Sequence, residues 1–214
     1  GPDGFAQWDL EVGGISQIES HPGASVTQST DMQIDFNDEY VYIRPEGTAQ
    51  FHIGNLAQAD WTHLDLGIAS NETSEAYNGS NGMISSITSM DIHPTTQQVV
   101  LGTKGSSLFG SRTSALLLTV DASGARNWDS VNGSWNVLNG VLATFLGDKI
   151  VVFASNSVNG GPGSTLLAPN MSSISFFRID ALWERSNTPG MPYTPGVNYT
   201  FMKSGPSDNS LYLG

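Results

Sequence analysis

The sequence contains no cysteine and few basic residues, and both shortages narrow what the protein can be. A secreted domain of this size would often carry disulfides, so their absence indicates cytosolic folding or a domain large enough to need none. Lys and Arg number 8 against 20 Asp and Glu, which gives a net charge of −12. Because phosphate binding needs clustered cations and these are scattered singly, nucleic acid and anionic membranes are poor partners.

Long apolar runs and long helices are also disfavoured by the sequence. No run of 18 apolar residues occurs, so no membrane-spanning helix is predicted. The 24 Gly and 10 Pro, with many Ser, Thr and Asn, favour turns and strands over helix interiors. Hydrophobic residues make up 38% of the chain, which is enough to fill a core. We therefore interpret residues 1–214 as a single β-rich domain.

The clearest element is a β-hairpin formed by Val141–Leu146 and Lys149–Ala154. Gly147 and Asp148 separate the two runs, and glycine in the first turn position takes a positive φ cheaply. This turn predicts a register in which Leu146 faces Lys149 and each earlier residue faces the matching later one. Both faces of the hairpin are apolar, which is typical of a strand pair inside a sandwich or barrel.

The rest of the chain predicts further short strands. Tyr40–Arg44 and Thr48–Ile53 form a second hairpin around Glu46-Gly47. The segment Ile174–Trp183 fits either a helix or a strand, and its β-branched and aromatic residues favour a strand. Residues Asn127–Asn139 are interpreted as a polar segment that contains tryptophans. The predicted fold class is all-β, a compact β-barrel or sandwich of roughly ten or more short antiparallel strands with long loops.

Two His/Asp pairs could contribute to a metal site, namely His63 with Asp65 and Asp91 with His93. Each pair lies on one face of a predicted strand, but the sequence offers no third ligand, so we expect no metal ion at either. No G-x-S-x-G motif occurs, and the segment Gly102–Gly105 lacks the spacing of a phosphate-binding loop. The Asp121–Gly124 turn is similar to the Asp-box of sialidase-type propellers, but its spacing does not match. We expect no catalytic residue, no cofactor and no enzymatic activity.

Aromatic residues within polar segments are the candidate recognition residues. Tyr77, Trp128, Trp135 and Tyr193 each lie among Asn, Ser, Gly or Pro. Amphipathic rings among adaptable polar residues are typical of a recognition surface, so these four are predicted to bind a receptor. The alternative is that the rings fold back and cover the ends of the barrel.

The composition and strands such as YVYIRPEGTAQFHIG (Tyr40–Gly54) and VNYTF (Val197–Phe201) resemble the capsid spike domain of astroviruses, particularly the avian type. The resemblance extends loosely over the whole chain. It implies a compact β-barrel at the virion surface that is non-enzymatic and forms a homodimer. It also implies an antigenic surface and attachment to a host-cell receptor, which could be a glycan.

The alternative is a secreted microbial domain, either carbohydrate-binding or propeller-like, that could belong to a glycan-active enzyme. N-x-S/T sequons favour secretion and occur at Asn71, Asn78, Asn132, Asn170 and Asn198. The absence of disulfides and of a fixed-period repeat counts against this alternative.

Overall fold

A computed structural model gives the fold. It describes residues 4–9, 14–20, 29–35, 37, 39–56, 60–66, 84–105, 115–121, 123–130, 141–147, 149–155, 171–178, 185–186, 190–192, 202–204 and 211–213. Every regular element among them is a β-strand, which confirms the all-β prediction. In chain order the strands are β1 Gly4–Asp9, β2 Gly14–Ser20, β3 Ser29–Ile34, β4 Tyr40–Pro45, β5 Gln50–Asn55, β6 Asp60–Asp65, β7 Ile84–Ile92, β8 Val99–Gly105, β9 Ala115–Val120, β10 Arg126–Ser130, β11 Val141–Leu146, β12 Lys149–Ser155, β13 Met171–Arg178, β14 Arg185–Ser186, β15 Gly190–Pro192, β16 Met202–Ser204 and β17 Leu211–Leu213. Within these ranges no helix has the length and hydropathy that a membrane span requires.

The strands form successive antiparallel meanders. Strands β3 to β6 pair in sequence order as one four-stranded sheet, and β7 to β10 pair in the same way as a second. A third sheet has the order β11-β12-β13-β14, with β15 also paired to β13. The hairpins β1-β2 and β16-β17 form two further sheets. Each four-stranded sheet therefore comes from one continuous stretch of chain.

The central hairpin has the predicted register. Leu146 pairs with Lys149 and Leu142 with Phe153, and Gly147 has a φ of +57°. Strand β11 is buried over nearly its whole length, as its apolar faces predict. It is the terminal strand of its sheet, but β7 of the preceding sheet covers its open edge.

The core lies between the first two sheets. Tyr42 and Phe51 of the first sheet belong to the same buried cluster as Ile87, Leu101 and Leu116 of the second. The Tyr42 and Phe51 rings are stacked, with centroids 6.0 Å apart. A smaller cluster joins Leu142, Val151 and Phe153 of the third sheet to Met202 on β16. The first, second and third sheets therefore pack on one another in chain order.

The other predicted strands have mixed outcomes. The hairpin of β4 and β5 is confirmed, with Gly47 of its turn at a φ of +68°. The strand preferred for the ambiguous segment Ile174–Trp183 is confirmed by β13 as far as Arg178, and residues 179–183 lie outside the described residues. Residues Arg126–Ser130 form a strand, which the interpretation of Asn127–Asn139 as a polar segment did not include. Val197–Phe201 lies outside the described residues.

Candidate functional site

The structure places one of the four predicted recognition residues, Trp128. This residue lies on β10 opposite Leu118 and is half-buried. Its ring contacts the edge of Phe51 on the neighbouring sheet, with centroids 6.3 Å apart and an interplanar angle of 72°. Trp128 therefore packs partly against the core, as the alternative in the sequence analysis describes, and keeps part of its surface exposed. Tyr77, Trp135 and Tyr193 lie outside the described residues.

A row of side chains on β7 binds the backbone of β11. The hydroxyl of Thr88 donates to the carbonyl of Val141. Ser89 Oγ accepts from the backbone N–H of Ala143 at 2.8 Å and contacts its carbonyl oxygen at 3.2 Å. These β11 backbone groups point away from β12, so a strand partner is missing on that side. Side chains of β7 take the place of a neighbouring strand and satisfy them.

Asp91 continues this row. Its Oδ2 accepts from the hydroxyl of Thr144 and, at 3.0 Å, from the backbone N–H of Phe145. Its Oδ1 accepts from Lys203 Nζ on β16 at 3.1 Å. Thr144 is fully buried and the Asp91 side chain is 14% exposed, and this low exposure to solvent strengthens the hydrogen bond between them. The carboxylate thus joins three sheets.

His93 ends the row in the turn after β7. Its Nδ1 accepts from the backbone N–H of Thr95 and Thr96, at 3.2 and 3.0 Å. Because Nδ1 accepts, Nε2 carries the proton and donates to the carbonyl of Gly147 at 3.0 Å. The ring also meets Phe145 edge-on, with centroids 5.1 Å apart. Asp91 and His93 therefore each hold the third sheet in place.

The first sheet and β16 also donate to the backbone of β7. Gln33 Nε2 and Lys203 Nζ both donate to the carbonyl of Met90, at 2.9 and 3.0 Å. Arg44 Nη1 donates to the carbonyl of Ile87 at 2.9 Å. Burial lowers the pKa of Arg44, and Asp31 and Glu46 oppose this shift. Strand β7 is therefore the point at which β3, β4, β11 and β16 meet.

A histidine pair lies on the other face of the first sheet. Cross-strand pairing sets His52 of β5 directly opposite His63 of β6. Their Nδ1 atoms are 2.7 Å apart, and the ring centroids are 4.8 Å apart at an interplanar angle of 74°. His52 is 2% exposed, whereas His63 is exposed. A contact this short requires that one nitrogen donates and the other accepts.

This pair was not predicted, because His63 was compared with residues along its own strand and not with residues of the neighbouring strand. Asp65, the expected neighbour of His63, lies opposite Gln50, two pairs further along the hairpin. Aligning β5 with β6 across residues 56–59 would have set His52 against His63. Among the described residues, no three His, Asp or Glu side chains lie close enough together to hold a metal ion.

The face that carries the histidine pair also exposes apolar side chains. Met32 and Ile34 on β3 are 48% and 46% exposed. They pair with Ile43 and Val41, which are buried, so the exposed strip lies beside a covered one. On the opposite face, burial raises the pKa of Tyr42 well above its ordinary value, helped by Asp35 and then Tyr40. The first sheet therefore has one closed face and one partly open face.

Comparisons with known proteins identify a fold and no family. No protein-family model matches the sequence, and no curated protein matches it. The structure entitled "Structure of U3-55K" is similar over 82% of this chain and 42% of its own, with 9% identity and a TM-score of 0.50. The WD40 repeats of RRP9 give 10% identity, the same coverage and a TM-score of 0.48. The Cps50 (Swd1) β-propeller domain of Myceliophteria thermophila covers 97% of this chain and 89% of its own, with 10% identity and a TM-score of 0.30. The chain spans about two fifths of the U3-55K chain, and the likeness concerns the arrangement of β-strands.

Proposed function

We propose that this chain is a non-enzymatic recognition module, in which a rigid β scaffold presents surface residues to a partner. The observation that supports the proposal is that the polar atoms of Asp91 and His93 are engaged in hydrogen bonds between sheets and turns. The carboxylate oxygens of Asp91 accept from Thr144, Phe145 and Lys203, and both ring nitrogens of His93 bind backbone groups. Side chains engaged in this way hold sheets together and are poorly placed to exchange protons with a substrate.

The partner we propose is a host-cell receptor or surface glycan, engaged at a virion surface. The resemblance to astrovirus spikes supports this partner, and so does the part of the half-buried Trp128 that remains exposed. Indole rings bind sugars and proteins through an apolar face and an N–H donor. Tyr77, Trp135 and Tyr193 are the other proposed contacts. Nucleic acid and membrane insertion are not part of this proposal, given the net charge of −12.

Binding of the purified chain to cells and to a glycan array tests the proposal. Trp128→Ala and the triple variant Tyr77→Ala, Trp135→Ala, Tyr193→Ala should each reduce binding at least tenfold. Tyr212→Ala is the matched control, because it removes an exposed aromatic ring that is not among the proposed contacts. If both aromatic variants bind as tightly as the wild-type chain, recognition does not use these residues.

A second candidate function is that of a secreted, propeller-like binding domain. The successive four-stranded meanders and the similarity to U3-55K favour this candidate. The genomic context separates the two candidates. A basic N-terminal region and a capsid shell domain encoded upstream would support the spike, whereas a signal peptide would support the secreted domain.

We further propose that the chain forms a homodimer. A projecting module near a local two-fold axis uses the same patch twice, and few charges would be stranded in such a contact. Repulsion from the net charge is screened beyond about 8 Å at physiological salt. Light scattering over a dilution series should give twice the chain mass of 22.8 kDa. A mass that stays at one chain at every concentration would contradict the homodimer.

A further inference from the structure

We propose that His52 and His63 form a binding site for a divalent transition-metal ion, with Cu²⁺ bound most tightly. This proposal goes beyond recognition by the aromatic residues and revises the expectation that His63 binds no metal. The rings face each other across β5 and β6, with their Nδ1 atoms 2.7 Å apart. A metal ion bound to both nitrogens would displace the proton between them and would lie beside the line that joins the two atoms.

The distance between the nitrogens favours particular metals. Two imidazoles on a tetrahedral Zn²⁺, with bonds of about 2.0–2.1 Å, have nitrogens about 3.3–3.4 Å apart. Two imidazoles whose bonds to the metal meet at 90°, as in the tetragonal sites of Cu²⁺ and Ni²⁺, have nitrogens about 2.9 Å apart. Starting from the hydrogen-bonded separation of 2.7 Å, the nitrogens would have to move apart less to bind Cu²⁺ or Ni²⁺ than to bind Zn²⁺. The general order of affinities also places Cu²⁺ above Ni²⁺ and Zn²⁺.

The surroundings of the pair suit a bound cation. His52 is 2% exposed and lies in a buried strand, which holds one ligand in place. His63 is exposed, so its ring can turn to widen the N–metal–N angle, and water molecules can fill the remaining coordination positions of the metal ion. Asp65 lies two residues along β6 on the same face, where its carboxylate adds negative charge. The net charge of −12 attracts cations to the whole chain.

Calorimetric titration with Cu²⁺, Ni²⁺ and Zn²⁺ separately tests the site. The wild-type chain should bind one Cu²⁺, and Ni²⁺ and Zn²⁺ should bind at least tenfold more weakly. His63→Gln should weaken Cu²⁺ binding at least tenfold and leave the fold intact, because the side chain is exposed. Asp129→Asn is the matched control, because it removes one negative charge from an exposed position on β10 of the second sheet, and it should change the affinity less than threefold. Equal Cu²⁺ affinity in the wild-type and His63→Gln chains would overturn the proposal.

Electron paramagnetic resonance provides a second readout that does not depend on affinity. Superhyperfine splitting should report two imidazole nitrogens in the wild-type Cu²⁺ complex and one fewer in His63→Gln. Copper held at the N-terminal amine or at another histidine would give the same spectrum in both chains, and that result would also overturn the proposal. His52→Asn should lose the same nitrogen signal if the chain still folds, which circular dichroism establishes.

Discussion

Strands β3 and β7 each begin a four-stranded meander, but they differ in how they are covered. Strand β7 lies between the first and third sheets, and its Met90 is 1% exposed. Strand β3 is partly open, and its Met32 is 48% exposed. The strand positions are equivalent within the two sheets, so the difference comes from what packs against them. The covered strand β7 holds neighbouring sheets together, whereas the partly open strand β3 has side chains that a partner could contact.

The largest loss of stability should come from a substitution in the third sheet, which packs against β7. Phe153 is 2% exposed and packs with Leu142, Val151 and Met202. Phe153→Ala should lower the free energy of unfolding by about 3–5 kcal/mol, because it leaves a cavity. Chemical denaturation measures this change. A loss below about 1 kcal/mol would place Phe153 at the surface and contradict the burial of the third sheet.

A matched pair of methionine variants tests the comparison of β3 with β7 directly. Met90→Ala should destabilise the chain by about 2–5 kcal/mol through loss of buried volume. Met32→Ala should change stability by less than about 0.5 kcal/mol, because its side chain is half exposed. Both variants remove the same atoms, so denaturation midpoints under one set of conditions compare the two environments. Equal losses at the two positions would show that β3 is as well covered as β7.

Two glycines should resist substitution for different reasons: Gly102 because its neighbours pack closely, and Gly47 because of its backbone conformation. A Cβ at Gly102 would lie closer than 3.0 Å to the carbonyl oxygen of Val141 and to Ser89 Oγ. Gly102→Ala should therefore cost about 1–3 kcal/mol, and Gly102→Asn should cost more. Gly47 has a φ of +68° and open space around it, so Gly47→Asn should be tolerated better than Gly47→Ala. Thermal unfolding of the four variants tests this order, and a tolerated Gly102→Asn would rule out the close approach of β8 and β11.

The smallest effect concerns the exposed turn between β9 and β10. Hydrogen bonds from the side chain and then the backbone of Ser123, followed by the backbone of Ala125, lower the pKa of Asp121. A depressed carboxyl pKa contributes stability above the unfolded pKa, and this stability is lost as the pH falls through the folded pKa. Ser123→Ala should raise the pKa of Asp121 towards its ordinary value, as measured by NMR titration. Ser85→Ala is the control and should leave that pKa unchanged.

Local signals made much of the fold predictable. The Gly147-Asp148 turn and the alternation of Val141–Ala154 determine a register that the structure confirms. The division of the strands into separate four-stranded meanders was not foreseen, because the strands share no residue period and no local pattern marks where one sheet ends and the next begins. Trp128 was assigned to a polar segment because Asn, Asp and Ser surround it in the sequence. In the structure these residues form the edge strand β10, because they pair with β9.

The candidate site was harder to predict than the fold. The pairing of His52 with His63 depends on a register between two strands, and a search along one strand cannot find it. The contacts of Asp91 link residues 53, 54 and 112 positions apart in the chain, and no local pattern records them. Short-range turn chemistry therefore predicts hairpins, whereas long-range docking determines what each polar side chain does.

The contacts of β7 with three other sheets also determine the order of folding. The β11–β12 hairpin can close as soon as its two strands exist, on a timescale of about 1–10 μs. The bond between Lys203 and Asp91 must wait until a loop of 112 residues is closed, and the entropy of that closure is lost before the contact stabilises anything. On a ribosome, Asp91 would emerge long before Lys203. We therefore expect pulse-labelled hydrogen exchange to protect the backbone of β12 before that of β16, and simultaneous protection would contradict this order.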